Sequence, residues 1–399
     1  MKYLILVADG MSDRPVRALG GKTPLEVSKH PMMDRIARNG RCGLVKTLFE
    51  GLPYDSGVAN MSLMGYDVKN YPGRGALEAG NMGVTLSEGD IAYRCNLVSV
   101  KDGLMHDFTA GHISNQEAHE IINDLSKKFA EDGVEFYPGV SYRHLLVLRK
   151  NYSTKVDCKL PHEIMGNPVE PNMPKAMEAD GEQTAKLLGK LMLESIKFLK
   201  NHPVNKKRVS EGKNPASMIW LWGGGKKPNL EKFKDKFGLD GALISAVDLL
   251  KGIARYIGLE VIEVEGATGY IDTNYEGKAQ AALDAFKTKD LVYLHIEATD
   301  ESGHEGSIEH KVQAIEDIDS RVLAKIMEDL EEPYTIAVTS DHATPIEVRN
   351  HVDDLVPYAV YKSGVKVDET QKYTEREIKE NASLPQVSGK DFLKQIIEL

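Results

Sequence analysis

The chain of 399 residues carries 60 acidic and 50 basic side chains, a net charge of −10, with 41% hydrophobic and 28% charged residues. At roughly 150 residues per domain this predicts two or three domains, or one large core with an insertion. The near-average composition excludes disordered and fibrous classes, and the acidic balance supplies no electrostatic footprint for nucleic acid or an anionic membrane.

The first element, Tyr3–Ala8, is an uninterrupted apolar run that stops at Asp9-Gly10 and reads as a strand buried on both faces. It is too short for a signal peptide, and no run approaches a membrane span. Pro31–Arg38 has helical spacing. From about Asp90 the pattern changes: a strand over Ile91–Val100, a helix over Asn115–Asp132, and strands over Val134–Tyr137 and His144–Leu148. A polar, Pro-rich stretch near Asn151–Pro174 leads to an amphipathic helix over Asp180–Asn201, and Lys206–Pro215 reads as an exposed connector. Met218–Trp222 is an apolar run ending in three glycines. Ala246–Ile257, Lys278–Phe286 and Val312–Leu330 are helical. Leu259–Val264, Leu291–Ile296 and Tyr334–Thr339 read as strands. This alternation predicts an α/β protein with a mostly parallel sheet, residues 1–88 with 206–399, interrupted by a smaller α+β domain at 89–205. Cys42, Cys95 and Cys158 are odd in number and widely spaced, which points to a reducing compartment rather than a disulfide framework. A soluble, cytoplasmic protein is expected, free of nucleic acid and membrane, with an oligomer allowed.

Ligands of an open α/β sheet sit at the carboxyl ends of its strands. Three predicted strands end there in acids or histidines: Asp9; Asp300 with His304 four residues on; and Asp341–His342 with His351 beyond. A single Asp-Gly is usually a turn, so the weight lies in the coincidence of three such ends on one face. Six ligands exceed one tetrahedral site and suggest two divalent ions, Mn, Zn or Mg. Two metals about 3.5–4 Å apart suit phosphoryl transfer, because both the attacking and the leaving oxygen are stabilised. In PYDSGVANMSLMGYD, Ser56 and Ser62 are candidate hydroxyls; Ser56 starts a helical pattern, where a phosphate is favoured. Gly21-Lys22-Thr23 does not complete a phosphate-binding loop, since position 16 is Val.

These segments resemble the alkaline phosphatase superfamily, and within it the archaeal-type cofactor-independent phosphoglycerate mutases. The resemblance runs through ADGMSDRP, DSGVANMSLMGYD, YPGRGALEAG, EVEGATGYIDTNYEGKA, ATDESGHEG and SDHATPIEVRNHVDDLVPYAVY, across nearly the whole chain. It implies interconversion of 3- and 2-phosphoglycerate without bisphosphoglycerate, on a small phosphorylated substrate, through a phosphoserine at Ser56, with Ser62 structural. It implies one metal held by Asp300, His304 and His351, and another by Asp9, Ser56, Asp341 and His342. Arg74, Arg94 and Arg143 match the family's substrate-binding arginines, and the inserted domain would close over the substrate. Two departures stand out: Gly57 follows the serine where an acid is usual, and Phe108, Thr109 and His112 stand where the mutases carry arginines. A bacterial branch resembling this one is proposed to be homoserine kinases, which gives the alternative reaction on the same site.

Overall fold

The computed structural model describes residues 1–130, 133–149 and 152–399. In chain order its strands are β1 (Lys2–Ala8), β2 (Arg41–Lys46), β3 (Ile91–Lys101), β4 (Leu104–Asp107), β5 (Val134–Val140), β6 (Arg143–Leu148), β7 (Val156–Asp157), β8 (Lys175–Ala176), β9 (Met218–Lys226), β10 (Gly241–Ile244), β11 (Glu260–Ile262), β12 (Leu291–Ile296), β13 (Tyr334–Thr339), β14 (Val356–Lys362) and β15 (Val387–Ser388). The helices that matter below are α1 (Arg74–Asn81), α2 (Asn115–Lys128), α3 (Glu182–Leu199), α4 (Pro203–Ser210), α5 (Ala298–Glu305) and α6 (Gly389–Glu398), with the serine helix at Ser56–Leu63. The expected helix over Asn115–Asp132 stops at Lys128, and its residues 131 and 132 lie outside the described residues.

The chain divides into two compact units, 1–71 with 230–399, and 72–229. The first holds an eight-stranded sheet in the order β11-β10-β12-β1-β13-β14-β2-β15. β1 pairs in parallel with both β12 and β13, and β14 alone runs against its neighbours. Leu4, Ile5, Leu6 and Val7 are fully buried, as a continuous apolar strand at the centre of a parallel sheet requires. Each such side chain contributes roughly 1.5–3 kcal/mol on burial.

The second unit is built on an antiparallel sheet in which β3 pairs with β4, β6 and β9, and β5 pairs with β6. The helices α2 and α3 share a core with this sheet through Ile121, Leu125, Leu188 and Met192, and α1 packs Ala76 and Ala79 against Ala92, Leu145 and Val147. This unit is wider than the expected 89–205 at both ends. Met218–Trp222, expected in the parallel sheet, instead joins β3 through the register Leu97↔Ile219 to Arg94↔Trp222. A short apolar run carries no mark of its partner, so its register is decided only by what it packs against. The expected connector Lys206–Pro215 begins in α4, where Arg208 is buried and donates to the Asn214 carbonyl at 2.9 Å and to Glu117 at 2.8 Å. Among the described residues no helix is long and apolar enough to cross a membrane.

Candidate active site

Parallel register decides where the polar strand ends meet. Ala8 lies opposite Ile296, and Val7 opposite Thr339, so β1, β12 and β13 finish side by side. Asp9, the Glu297–Asp300 turn and Ser340–His342 therefore emerge on one edge of the sheet. Gly10 turns the chain there at φ 60°, and its N–H donates to Asp341 Oδ1 at 3.1 Å. A Cβ at Gly10 would lie 2.8 Å from the Asp300 Cα, so only glycine fits.

Asp300 sits in the first turn of α5 and His304 one turn later. Their Oδ2 and Nε2 atoms are 3.2 Å apart, and His351 Nε2 lies 3.4 Å from Asp300 Oδ1. His304 Nδ1 donates to the Arg349 carbonyl at 3.0 Å, and His351 Nδ1 to the Tyr54 carbonyl at 2.8 Å. A carbonyl can only accept, so each Nδ1 carries a hydrogen, and each ring, once it gives up its Nε2 proton to make room for a cation, turns an Nε2 lone pair inward. Those two Nε2 atoms are 3.0 Å apart. Two lone pairs at that distance repel unless a proton or a cation is shared. His304 is pushed up to about 9, mainly by its bond to Asp300. Burial alone would raise the Asp300 carboxyl, but His304 and His351 outweigh it and hold it well below its usual range.

The second donor set is fully buried: Asp9, Asp341 and His342. His342 Nε2 is 3.3 Å from Asp9 Oδ1 and 3.7 Å from Asp341 Oδ2. Thr344 Oγ1 donates to Asp300 Oδ1 and stands 3.2 Å from His342 Nδ1, so its oxygen accepts from that nitrogen and leaves Nε2 as the inward acceptor. Burial pushes His342 down to about 4 despite Asp341 beside it. Asp9 is held far above the usual carboxylate range by burial first, then by the charges of Asp341, Asp300 and Glu297. Neither Asp9 oxygen accepts a hydrogen bond although both are buried. Within each set the donor atoms lie within 4.8 Å of one another, and the His342 and His351 rings stack at 3.9 Å, joining the two. Orphaned carboxylate oxygens, inward-facing imidazoles and crowded buried acids fit divalent cations.

Ser56 is the first residue of its helix, capped by Asp55, whose carboxylate accepts from the Val58 N–H at 2.8 Å. Its Oγ lies 3.3 Å from His342 Nε2, and the free N–H groups of a helix start favour a bound phosphate there. Ser62 is fully buried, and a Cβ at Gly389 of α6 would collide with its Oγ, so it faces a packed helix. The Ser62 hydroxyl has no hydrogen-bond partner. Ser62→Ala is therefore expected to keep full turnover and to change stability by no more than about 1 kcal/mol, since no bond is lost. Urea denaturation and initial rates check this; a loss of turnover beyond tenfold would contradict it.

Four residues that support these groups escape a sequence reading. His295, inside β12, places Nε2 3.1 Å from Asp9 Oδ2. Asn60 donates to Asp341 Oδ2 at 2.7 Å and to the Ser56 carbonyl at 2.8 Å, and accepts from Tyr293 at 2.6 Å, tying the serine helix to a ligand carboxylate. Thr344 is the fourth. Only the alternation of β12, which puts Tyr293 and His295 on one face, hinted at two of them. The three predicted arginines all lie in the second unit: Arg74 at the start of α1, Arg94 buried in β3 and paired with Glu78, and Arg143 at the start of β6.

A serine at a helix start beside two carboxylate–imidazole sets, on the carboxyl edge of a mostly parallel sheet, is the layout of the metal-dependent phosphoryl-transfer enzymes of the alkaline phosphatase superfamily. Residues 37–205 match the family model described as 2,3-bisphosphoglycerate-independent phosphoglycerate mutase, and residues 165–393 the one described as type I phosphodiesterase / nucleotide pyrophosphatase. A 2,3-bisphosphoglycerate-independent phosphoglycerate mutase of Methanosarcina mazei is 48% identical over 403 residues, covering 100% of both chains. Among solved structures, a Pyrococcus horikoshii protein is 30% identical with a TM-score of 0.83, covering 100% of this chain and 96% of that one. A cofactor-independent phosphoglycerate mutase from Thermoplasma acidophilum is 28% identical with a TM-score of 0.70, covering 100% and 99%. The chain belongs to the family of 2,3-bisphosphoglycerate-independent phosphoglycerate mutases.

Proposed function

We propose that the protein interconverts 3-phosphoglycerate and 2-phosphoglycerate without bisphosphoglycerate, through a phosphoserine at Ser56. The observation that carries this is 46–48% identity over the full length with 2,3-bisphosphoglycerate-independent phosphoglycerate mutases, and it favours the mutase over a homoserine kinase. Asp300, His304 and His351 would hold one divalent cation, and Asp9, Asp341 and His342, with the Ser56 oxygen, the other. When bound, such cations neutralise phosphate charge and lower the pKa of a coordinated hydroxyl. The Ser56 oxygen attacks phosphorus, the bond from phosphorus to the glycerate oxygen breaks, and that oxygen takes up a proton. The other glycerate hydroxyl then attacks the phosphoserine, loses its proton and restores Ser56. Asn60 holds the start of the serine helix against Asp341 throughout. Arg74, Arg94 and Arg143 supply the second unit's cations for the substrate's anionic groups.

The protein loaded with Mn, Zn or Mg in turn is offered 3-phosphoglycerate alone, and separately homoserine with ATP. Phosphorus NMR is expected to show 2-phosphoglycerate in the first mixture with no bisphosphoglycerate added, and chelator treatment is expected to stop it. Phosphohomoserine in the second mixture, with no product in the first, would overturn the reading.

A further inference from the structure

The second unit gathers its cations on aromatic rings. The Arg74 and Arg94 guanidinium carbons lie 5.3 and 5.5 Å from the centre of the Trp222 ring, and that of Arg143 lies 5.9 Å from the Tyr142 ring. Arg94 is almost fully buried and pairs with Glu78, yet its Nε donates to nothing; the Nε of Arg74 is likewise buried and without a partner. Burial pushes Arg94 down to about 10, and the charges of Arg74 and Arg143 add to the effect while Glu78 opposes it. Two guanidiniums on one ring, Arg74 and Arg94, each with an unpartnered buried Nε–H, are arranged for an anion.

One further polar group faces the same cluster. The His162 ring stands edge-on to Trp222, with centroids 6.5 Å apart at 79°, and edge-on to Phe108 at 6.0 Å and 63°. Among the described residues no hydrogen bond reaches either of its ring nitrogens. Both neighbours are fixed. Trp222 Nε1 donates to Asn96 Oδ1 at 3.2 Å. Phe108 abuts Tyr142 at 6.0 Å and leads a loop in which Ala110, Gly111 and His112 all have positive φ. Asp107 accepts from Thr109 N–H, Thr109 Oγ1, Gly111 N–H and Asn214, and Arg208 donates to the Ala110 carbonyl at 2.6 Å. Backbone strain of this kind persists only where its surroundings over-determine it. The loop sets Phe108 as an aromatic wall beside an exposed imidazole that has no hydrogen-bond partner among the described residues, and Arg74 and Arg94 lie near enough to act on its charge.

We propose that His162 is a binding residue of this cluster, gripping an anionic group of the substrate together with Arg74 and Arg94 and taking up a proton as that group enters. The proposal rests on the reading that these arginines hold phosphoglycerate. Partial desolvation is the main thing that disfavours protonation of His162; Glu163 favours it, and the charges of Arg74 and Arg94 disfavour it. An incoming carboxylate or phosphate reverses the balance, because an opposite charge within about 4–6 Å favours the charged form of the ring. Affinity then falls as pH rises through the titration of the bound ring.

The test uses the metal-loaded, full-length enzyme and the variants His162→Ala, His162→Gln and His162→Phe. Phe keeps the edge contacts with Phe108 and Trp222 and removes only the nitrogens. Expected for both Ala and Phe is a KM for 3-phosphoglycerate raised about tenfold, one good hydrogen bond to a charged group, with kcat within about threefold and metal content unchanged. Wild-type KM is expected to rise between about pH 6 and 8, where histidine titrates, and the Gln variant's KM to stay flat. Competition by D-glycerate and by inorganic phosphate identifies the gripped group as the one whose inhibition the Phe variant weakens. A Phe variant with wild-type KM and an unchanged pH profile overturns the proposal. Quenching of tryptophan fluorescence by inorganic phosphate and by D-glycerate, Trp222 being one of two tryptophans, separates the two readings. A wild-type enzyme without mutase activity sinks the function reading alone; equal quenching of wild type and His162→Phe by inorganic phosphate and by D-glycerate alike sinks this one.

Discussion

Ser56→Ala is expected to abolish phosphoryl transfer, by at least ~10⁴-fold, or about 5.4 kcal/mol at 1.36 kcal/mol per decade. The reason is local. Ser56 Oγ sits at a helix start, 3.3 Å from His342 Nε2, and a covalent pathway has no first step once its nucleophile is gone. Ser62, the other candidate in the segment, cannot replace it, because its hydroxyl faces α6 across Gly389. Losing one hydroxyl at a half-buried site should leave the fold intact. The measurement is the initial rate from 3-phosphoglycerate, together with acid quench and peptide mapping of the trapped phosphate. Label on Ser62 or on a histidine, with an active Ser56→Ala enzyme, would reassign the nucleophile.

Asp341→Asn should lower bound metal from two equivalents to one and cut turnover by at least ~10³-fold, the scale on which charge stabilisation at a reacting centre is lost. Asp341 is fully buried, and its two oxygens accept from Gly10 N–H, from its own neighbour's His342 N–H at 2.9 Å, and from Asn60 at 2.7 Å. An amide in its place removes the negative charge. It also turns an NH₂ group toward a donor, whichever way it is flipped, since donors face both oxygens. Metal analysis of the purified variant decides the matter: two equivalents retained with full turnover would remove Asp341 from the centre. The carboxylate's depressed pKa gives the sign of the pH effect. Burial works against ionisation, but His342 and His295 outweigh it. A carboxylate with a lowered folded-state pKa contributes stability that is present above its unfolded pKa of about 3.9 and is lost as pH falls through the folded value. In the metal-free protein, acid sensitivity below about pH 4 should therefore be smaller in the Asn variant.

Much of the centre is legible in the sequence because parallel strands are buried on both faces. Where Tyr3–Ala8, Leu291–Ile296 and Tyr334–Thr339 turn abruptly polar, the polar residues can only lie at the strand ends, and parallel strands end together. Asp300 and His304 are recognisable as a pair because four residues make one helical turn, and the resemblance to known mutases separates Ser56 from Ser62. The homoserine kinase alternative stayed open on the sequence for a physical reason. Phe108, Thr109 and His112 remove expected cations, and a sequence cannot say what faces the gap they leave.

Legible without the fold are the central strands Tyr3–Ala8, Leu291–Ile296 and Tyr334–Thr339 and the polar residues that end them, since continuous apolarity and strand-final polarity are local properties of the chain; strands such as Arg41–Lys46 and Val356–Lys362 carry no such mark and escape a sequence reading. Tertiary packing settles which strand Met218–Trp222 joins, buries Arg208 under the Ala110 carbonyl, and starts the second unit at residue 72 rather than 89. It alone put His295 against Asp9, Asn60 between Ser56 and Asp341, and His162 beside Trp222. Each of these depends on sheet register or on contacts between residues far apart in the chain. A one-residue slip in register would turn the same side chain to the opposite face, and no local pattern records which register is taken.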